Sequence, residues 1–249
     1  MDWHKRFVQQ AGWTRQLRAY LFERAGLSAA RRVLEVGCGS GAVLPGQPAG
    51  VEIYGLDRDL PRLAEARLHA PQARLACGDA LRLPYAAALF EITFCHFLLL
   101  WLAHPLQALQ EMKRLTRPGG YVLALAEPDY TARVDQPAAL AVLGRWQAES
   151  LRRQGADPGL GSRLPGLFRQ AGLQVIETGC LRQDGGHPPG PAERELEWAV
   201  LEADLAGLVS PEEMQRLKHL DEAAWRSGER VLYVPTYWII GRNTARRAS

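Results

Sequence analysis

The sequence predicts a single α/β domain, built on a mostly parallel β-sheet with helices on both faces. Short apolar runs of the length of buried strands alternate along the chain with amphipathic segments of the length of helices. Strands that alternate with such helices form βαβ units, and these units lay their strands side by side in parallel. A chain of 249 residues is also long enough for one domain to bury its own core. We therefore expect neither a structural metal nor a disulfide framework.

The first half of the chain supplies most of this alternation. Apolar residues at helical spacing predict an N-terminal helix over 4–26, with Gly26 as its stop. Strands are predicted at 33–36, 51–56, 73–77, 90–95 and 121–126, and helices at 60–70 and 105–115. Pro-Gly-Gly at 118–120 is typical of a turn, and it precedes the fifth of these strands.

The second half is less regular and contains a long insertion. Helices are predicted at 138–154 and 163–171, the second ended by Gly172, and strands at 173–180 and 231–240. The segment 184–229 opens with Gly-Gly-His-Pro-Pro-Gly-Pro and continues with helical patterns over 191–205 and 211–227. Insertions of that length in a compact fold are usually functional. The predicted organisation is one domain over 1–249, with a cap helix over 1–28, a core over 30–183 and 230–243, and a helical lid over 184–229.

Composition and charge argue against several classes of protein. The 30 basic and 27 acidic residues give a formal charge of +3, and 184–229 is strongly acidic, so nucleic acid is not an expected partner. The four cysteines form no Cys-x-x-Cys pair, which argues against a metal site and favours a reducing cytoplasm. The most apolar stretch, 92–103, is too short to span a membrane, and the N-terminus lacks the apolar core of a secretory signal. We expect a soluble cytoplasmic protein, whose oligomeric state the sequence leaves open.

Glycines crowd the turn after the first strand, which reads Glu-Val-Gly-Cys-Gly-Ser-Gly over 35–41. Glycines at a strand-to-helix turn let a ligand approach the backbone closely. In one interpretation, Gly37, Gly39 and Ala42 cradle the pyrophosphate of a dinucleotide, and Asp57 holds its ribose. This interpretation implies an NAD(P)-dependent oxidoreductase.

The second interpretation starts from the carboxylate at the end of the first strand. A ligand that has no phosphate but carries an ammonium and a sulfonium, as S-adenosylmethionine does, suits a carboxylate there, and Glu35 is at that position. Pro45 interrupts the following segment, so the long helix of a dinucleotide site is not expected.

Five motifs in order resemble the class I S-adenosylmethionine-dependent methyltransferases that modify small molecules. They are Val-Leu-Glu-Val-Gly-Cys-Gly-Ser-Gly (33–41), Tyr-Gly-Leu-Asp (54–57), Gly-Asp-Ala (78–80), the strand at 90–95, and Leu-Thr-Arg-Pro-Gly-Gly-Tyr-Val-Leu (115–123). The resemblance covers about residues 30 to 128 and extends to the last two strands. It implies a Rossmann-like three-layer sandwich with a seven-stranded sheet, whose last strand is antiparallel.

The resemblance also implies a set of cofactor-binding residues. Glu35 would lie near the ammonium of the cofactor, and the glycines of 35–41 would pass beneath the ligand. Asp57 would accept both ribose hydroxyls, as a carboxylate with two oxygens can. Asp79 would accept the adenine amine, and the Ala80 N–H would donate to the ring. The whole set is Glu35, Gly37, Gly39, Asp57, Arg58, Asp79, Ala80 and His96.

The acceptor side is less defined. His96, just past the fourth strand, would face the space where methyl donor and acceptor meet, and it is the candidate for a catalytic base. Asp129 and Tyr130 follow the fifth strand, where ligands bind in open α/β sheets, and are candidate substrate residues. The segment Cys-His-Phe-Leu-Leu-Leu at 95–100 differs from the Asn/Asp-Pro-Pro-Tyr/Phe signature of amino-group nucleic-acid methylases.

The function that we expect is methyl transfer from S-adenosylmethionine to O, N or C of a small organic molecule. The expected partner is that small-molecule acceptor, without a membrane and without nucleic acid. Two alternatives remain, an oxidoreductase and a catalytically silent S-adenosylmethionine-binding protein that acts through partners.

Overall fold

The structure, a computed structural model, describes residues 3–44, 50–181 and 189–244. Its centre is a seven-stranded sheet in the order β3-β2-β1-β4-β5-β9-β7. The strands of this sheet are β1 (Arg32–Val36), β2 (Glu52–Asp57), β3 (Arg74–Cys77), β4 (Phe90–Cys95), β5 (Thr116–Pro128), β7 (Gln174–Leu181) and β9 (Thr236–Arg242). Two short strands, β6 (Val134–Gln136) and β8 (Val231–Tyr233), pair separately. The helices are α1 (Trp3–Trp13), α2 (Arg15–Arg24), α3 (Leu60–His69), α4 (Pro105–Leu115), α5 (Ala141–Arg153), α6 (Leu164–Gln170), α7 (Pro191–Leu205) and α8 (Pro211–Ser227).

Helices cover both faces of the large sheet. Leu34 and Val36 of β1 belong to a buried cluster that includes side chains of α4, α5 and α6, whereas Val33 belongs to a second cluster with α2 and α3. This is the alternation that a strand buried on both faces requires. β9 runs antiparallel to both of its neighbours, β5 and β7. Within the described residues, the structure confirms the predicted Rossmann-like three-layer sandwich with its antiparallel last strand.

The N-terminal helix predicted over 4–26 is in fact two helices, α1 and α2, which meet at Thr14. The side chain of Thr14 is completely buried, and its hydroxyl lies 2.9 Å from Nε2 of His96. The prediction of one helix was therefore wrong, because a tertiary contact interrupts an apolar pattern that is continuous in the sequence. The predicted stop is confirmed, since Gly26 follows α2 in the left-handed conformation with φ +71°.

The strand predicted over 231–240 is also divided. β9 begins only after Pro235, which has no N–H to donate to a sheet and whose carbonyl accepts the N–H of Asp129 at 2.7 Å. β8 leaves the large sheet and pairs antiparallel with β6, a strand that the sequence did not predict.

Smaller differences concern where elements begin. β5 runs through the predicted turn at 118–120, which forms an irregularity in the pairing with β4. α5 and α6 each follow a short 3₁₀ turn, so they begin later than the helical patterns at 138–154 and 163–171. The beginning of the insertion, at 182–188, lies outside the described residues.

The two helices of the insertion pack onto α5 through apolar side chains. Trp198, Leu201 and Leu205 of α7 and Met214 and Leu217 of α8 form a buried cluster with residues of the 138–154 segment. The described helices include none that is both long and apolar enough to cross a membrane.

Buried charges add a second connection between the insertion and the core, which we call the ion-pair network. Asp135 of β6 binds Arg133 at 2.7 Å and Arg230 at 2.8 Å, and Arg230 also binds Asp221 of α8. Asp221 in turn accepts the indole N–H of Trp198 at 2.9 Å. Ion pairs this deeply buried are costly to break singly, because the remaining partner is left as an unpaired charge.

Candidate active site

One cavity of about 480 Å³ opens at the carboxyl ends of the parallel strands. Its wall contains every residue of the predicted cofactor set, namely Glu35, Gly37, Gly39, Asp57, Arg58, Asp79, Ala80 and His96. It also contains one of the two candidate substrate residues, Tyr130. The reason is topological, since β1, β2, β3 and β4 are parallel neighbours and their carboxyl ends meet at the same edge of the sheet.

The turn after β1 brings its backbone close to the cavity. Gly37 has φ +76°, and a Cβ at this position would lie 2.6 Å from Cδ1 of Leu98. The N–H groups of Gly37 and Cys38 both donate to the carbonyl of Leu56, at 2.7 and 3.0 Å. The turn is thus attached to β2, and its shape depends on the absence of a side chain at Gly37.

Asp57 is held by two backbone donors. Its Oδ2 accepts the N–H of Gly39 at 2.8 Å, and its Oδ1 accepts the N–H of Asp59 at 3.0 Å. Each carboxylate oxygen has a further lone pair. Asp57 therefore has a fixed orientation and can still accept two hydroxyl groups from a ligand.

Glu35 is the unusual group of the cavity. It is only 2% exposed, and its Oε2 has no hydrogen-bond partner in the described part of the chain. Burial raises the pKa of Glu35 well above its usual range, and the charge of Asp57 adds to this effect while that of Arg18 opposes it. An orphaned buried carboxyl oxygen lacks a hydrogen-bond donor, and a ligand ammonium supplies one together with a positive charge.

The part of the cavity wall that contains Arg58 and Asp79 is more exposed to solvent than Glu35 is. Oδ1 of Asp79 accepts the N–H of Leu81 at 2.9 Å, which fixes the carboxylate beside the buried Ala80. Arg58 is exposed in the same part of the wall. The turn after Gly41 contains bends and no helix over 41–44, and residues 45–49 lie outside the described part of the chain. These four residues offer no helix N-terminus for a pyrophosphate.

His96 lies deep in the wall and bonds to the junction of the first two helices. Its Nε2 is 2.9 Å from the Thr14 hydroxyl, which also accepts a hydrogen bond from Arg18. Burial lowers the pKa of His96 to about 3, and the charge of Arg18 contributes to this decrease. The imidazole is therefore neutral at pH 7, and a base of such low pKa takes up a proton poorly. This environment suits a hydrogen-bonding role for His96 better than a role as base.

Glu127 is an acid that the sequence analysis did not single out as a site residue. Its carboxylate, at the end of β5, accepts the N–H groups of Leu98, Leu99 and Leu100 at 3.0, 2.9 and 3.2 Å. Burial raises the pKa of Glu127 to about 7, and these three bonds oppose the rise. Glu127 shapes the segment after β4, where Phe97 takes the unusual φ of +52°. The available signal was an acidic residue at the end of an apolar run, Ala-Leu-Ala-Glu.

The two candidate substrate residues have different positions. Tyr130 lines the cavity, and burial raises the pKa of its hydroxyl to about 12. Asp129 is buried and is not among the lining residues. Its Oδ1 accepts the N–H of Thr131 at 3.1 Å together with the Thr131 hydroxyl. The structure therefore brings Tyr130 to the site but gives Asp129 a local role in its own turn.

Two helices from opposite ends of the chain close the cavity. α1 contributes Trp3, Arg6, Phe7 and Gln10 to the wall, and α7 contributes Val200 and Asp204. The two helices are joined by an ion pair between Arg6 and Glu197. Neither Arg6 nor Asp204 is marked as a site residue by the sequence.

Comparisons with known proteins identify methyltransferases as relatives of this chain. Residues 34–124 match the methyltransferase domain family. The demethylmenaquinone methyltransferase of Renibacterium salmoninarum is 34% identical over 114 residues, which are 45% of this chain and 48% of that protein. The malonyl-[acyl-carrier protein] O-methyltransferase of Pseudescherichia vulneris is 32% identical over 109 residues, 43% of each chain. The chain thus spans about half the length of these curated relatives.

Solved structures with the same fold include proteins with different activities. A geranyl diphosphate methyltransferase in complex with S-adenosylmethionine superimposes with a TM-score of 0.58 at 14% identity, covering 92% of this chain and 85% of that one. The [4+2]-cyclase SpnF superimposes with a TM-score of 0.57 at 20% identity, covering 93% and 82%. At such identities the likeness concerns the fold alone.

Proposed function

We propose that this chain is a class I S-adenosylmethionine-dependent methyltransferase that methylates O, N or C of a small organic molecule, as the match of residues 34–124 to the methyltransferase domain family supports. The observation that carries the proposal is Glu35, a buried carboxyl group of the cavity wall whose Oε2 has no hydrogen-bond partner in the described part of the chain. The pyridinium of an oxidised nicotinamide dinucleotide is cationic but has no N–H on its ring nitrogen to donate, whereas the ammonium of S-adenosylmethionine supplies both a positive charge and hydrogen-bond donors. The names of the curated relatives, which include menaquinone and acyl-carrier-protein methyltransferases, support this class of reaction.

The residues that would hold the cofactor are those already described in the wall. Glu35 would meet the ammonium, Asp57 would accept the ribose hydroxyls, and Asp79 with Ala80 would bind the adenine. The glycine turn would pass beneath the ligand, because a Cβ at Gly37 would displace Leu98. When bound, the cofactor supplies an electrophilic methyl group on its sulfonium.

The protein's own part is alignment and the exclusion of water. Holding two reactants in line contributes on the order of 7–11 kcal/mol through proximity. His96, neutral and hydrogen-bonded to Thr14, would help to shape the wall between donor and acceptor. A general base is needed only where the acceptor must lose a proton. We propose that α1 and the lid helices α7 and α8 close over the site after the acceptor binds.

Calorimetry with S-adenosylhomocysteine tests the cofactor assignment. We expect binding by the intact chain and a large loss in Asp57→Ala, because the ribose then loses both acceptors. Binding should also release a proton, since an ammonium beside Glu35 lowers the pKa that burial has raised. Titrations in buffers of different ionisation enthalpy measure that proton. Glu35→Gln should abolish its release, and Glu65→Gln, on the exposed face of α3, should leave affinity and proton release unchanged.

Three results would contradict the proposal or favour an alternative. Absence of S-adenosylhomocysteine binding would exclude the cofactor. Tight binding of NADH instead would favour the oxidoreductase. Binding of S-adenosylhomocysteine without methyl transfer to any member of a broad acceptor panel would favour a non-methylating role. A [4+2]-cyclase with this fold is known.

The proposal extends to partners and location. The acidic character of 184–229 supports a small-molecule acceptor over nucleic acid, because a phosphate backbone would be repelled. We also infer a cytoplasmic location from the unpaired cysteines, and a division into cap, core and lid along the predicted boundaries. Limited proteolysis with and without S-adenosylhomocysteine tests that division, since a closing lid gains protection.

A further inference from the structure

Asp204 of α7 lines the part of the cavity that α7 forms with α5, and its hydrogen-bond partners Gln147 and Ser150 are not members of the cofactor set. It is a lining residue, and around it the wall is formed by Tyr130, Gln147, Gln154 and Val200. Burial raises the pKa of Asp204, while hydrogen bonds from Gln147 and Gln154 and the charge of Arg6 oppose the rise. A carboxylate in a cavity wall can accept more hydrogen bonds than these two, so Asp204 has lone pairs left for a donor of a ligand.

The position of Asp204 is held by α5. The Nε2 of Gln147 donates to its Oδ2 at 3.3 Å, and the hydroxyl of Ser150 donates to its backbone carbonyl. Gln147 is itself held by Arg133, whose Nη1 donates to Oε1 of Gln147 at 2.6 Å. Arg133 belongs to the buried ion-pair network, so a continuous chain of hydrogen bonds fixes Asp204 from the core. Support of this kind is what an oriented ligand-binding group requires.

The charges around Asp204 do not neutralise it. Arg133 and Arg230 are balanced within the ion-pair network by Asp135 and Asp221. Arg6 is balanced by its ion pair with Glu197. Over the described ranges 3–44, 50–181 and 189–244, no cationic side chain forms an ion pair with Asp204. The acceptor end of the cavity therefore has an excess of negative charge.

The rest of this end is apolar. The cavity wall also includes Leu100, Trp101 and Leu102 from the segment after β4, together with Leu151 of α5 and Val200 of α7. Such walls bind the body of an aromatic or aliphatic molecule, and the few polar groups determine its orientation.

We propose that Asp204 is a substrate-binding residue that selects amphipathic acceptors with an apolar body and a neutral or cationic hydrogen-bond donor, such as a hydroxyl or amine. An acceptor with a carboxylate or phosphate at that position would meet an unbalanced negative charge and would bind weakly. This inference rests on the proposed function, which makes this end of the cavity the acceptor site. It assigns the insertion a direct part in selecting the acceptor.

Three probes that share a hydroxyphenyl group test the assignment. Tyramine carries a cation, tyrosol a neutral hydroxyl and 4-hydroxyphenylacetate an anion. Calorimetry at about pH 8, above the usual carboxyl range, measures their affinity for the full chain with and without S-adenosylhomocysteine. The wild-type protein should bind tyramine at least about tenfold more tightly than 4-hydroxyphenylacetate, which is the scale of a single charge-assisted hydrogen bond.

Two variants locate the effect. Asp204→Asn keeps the size of the side chain, and it should reduce the preference for tyramine by on the order of tenfold without changing affinity for S-adenosylhomocysteine. Glu202→Gln removes the same charge from an exposed position of α7 and should leave the preference unchanged. Equal affinity for the three probes, binding of none of them, or an unchanged preference in Asp204→Asn would overturn the assignment. Absence of S-adenosylhomocysteine binding would count against the proposed cofactor, whereas the probe ratio decides the role of Asp204.

Discussion

Replacing Glu127 by glutamine removes a buried negative charge without changing the size of the side chain. In the folded protein this carboxylate accepts three backbone N–H groups from the segment after β4. Burial nevertheless outweighs these bonds and raises the pKa of Glu127 from its usual 4.5 to about 7. The substitution should therefore change how stability depends on pH.

The sign follows from which state holds the proton more tightly. The pKa of Glu127 is higher in the folded than in the unfolded protein, so ionisation favours unfolding. The penalty is absent below pH 4.5, grows as pH rises, and is complete above about pH 7. A pKa difference of this size corresponds to about 3 kcal/mol. Wild-type protein should thus lose about 2–3 kcal/mol of unfolding free energy relative to Glu127→Gln between about pH 5 and pH 8.

Urea unfolding followed by circular dichroism at several pH values measures this difference. Glu91→Gln is the matched control, because Glu91 also accepts two backbone N–H groups, those of Arg31 and Arg32, but is only partly buried and is paired with Arg117. The control separates the loss of backbone acceptors from the loss of a buried charge. If wild type and Glu127→Gln show parallel pH profiles over this range, the carboxyl is not destabilised by burial and the reasoning is wrong.

Three further changes have defined outcomes. Arg230→Met leaves Asp221 as an unpaired buried charge and should cost about 3–5 kcal/mol, which thermal unfolding would record as a midpoint lower by roughly 10 °C. Gly37→Ala places a Cβ 2.6 Å from Cδ1 of Leu98 at φ +76°, and calorimetry should show S-adenosylhomocysteine affinity reduced by roughly tenfold or more. His96 has a pKa lowered to about 3, so the unfolded state takes up its proton first as pH falls. Wild type should lose about 3 kcal/mol relative to His96→Asn between pH 6.5 and about pH 4 in urea unfolding.

Each of these changes has a control and a contrary result. Arg226→Met, at an exposed position of α8, should change the free energy of unfolding by less than about 0.5 kcal/mol. If Arg226→Met and Arg230→Met lower this free energy equally, burial of the ion-pair network does not determine its contribution. Gly166→Ala places a Cβ in open space in α6 and should leave the affinity for S-adenosylhomocysteine unchanged. If Gly37→Ala also leaves this affinity unchanged, the glycine turn does not contribute to cofactor binding. An acid profile of His96→Asn parallel to that of wild type would show that the imidazole is protonated in the folded protein.

Local signals predicted the elements that begin or end with special residues. α4, α7 and α8 begin at Pro105, Pro191 and Pro211, the positions predicted, because proline is favoured in the first turn of a helix. α2 and α6 are followed by Gly26 and Gly172 in left-handed conformations. The ends of the strands that line the cavity were also predictable, because an apolar run in the sequence ends where a buried strand leaves the core.

Contacts between distant segments determined the features that the sequence did not predict. Gly12 and Thr14, the N-cap of α2, are only weak local signals of a helix boundary, and the contact that buries Thr14 comes from His96 at the end of β4. Likewise β6 exists only because β8 pairs with it from the far end of the chain. Asp129 and Tyr130 are neighbours in the sequence and were equivalent candidates. In the folded chain Tyr130 lines the cavity, whereas Asp129 accepts a hydrogen bond within its own turn.

The fold class, the glycine turn and the acidic residues at the strand ends follow from the order of residues alone, because they depend on periodicity and on conformations that glycine favours. The chemistry of the cavity depends on the folded chain. Glu35 and Glu127 are ordinary carboxylic acids in the sequence, and burial raises their pKa. Asp204 lines the cavity because α7 packs against α5, whose Gln147 and Ser150 hold it there. Burial and the juxtaposition of distant side chains are properties of the packed structure, and no short stretch of sequence contains them.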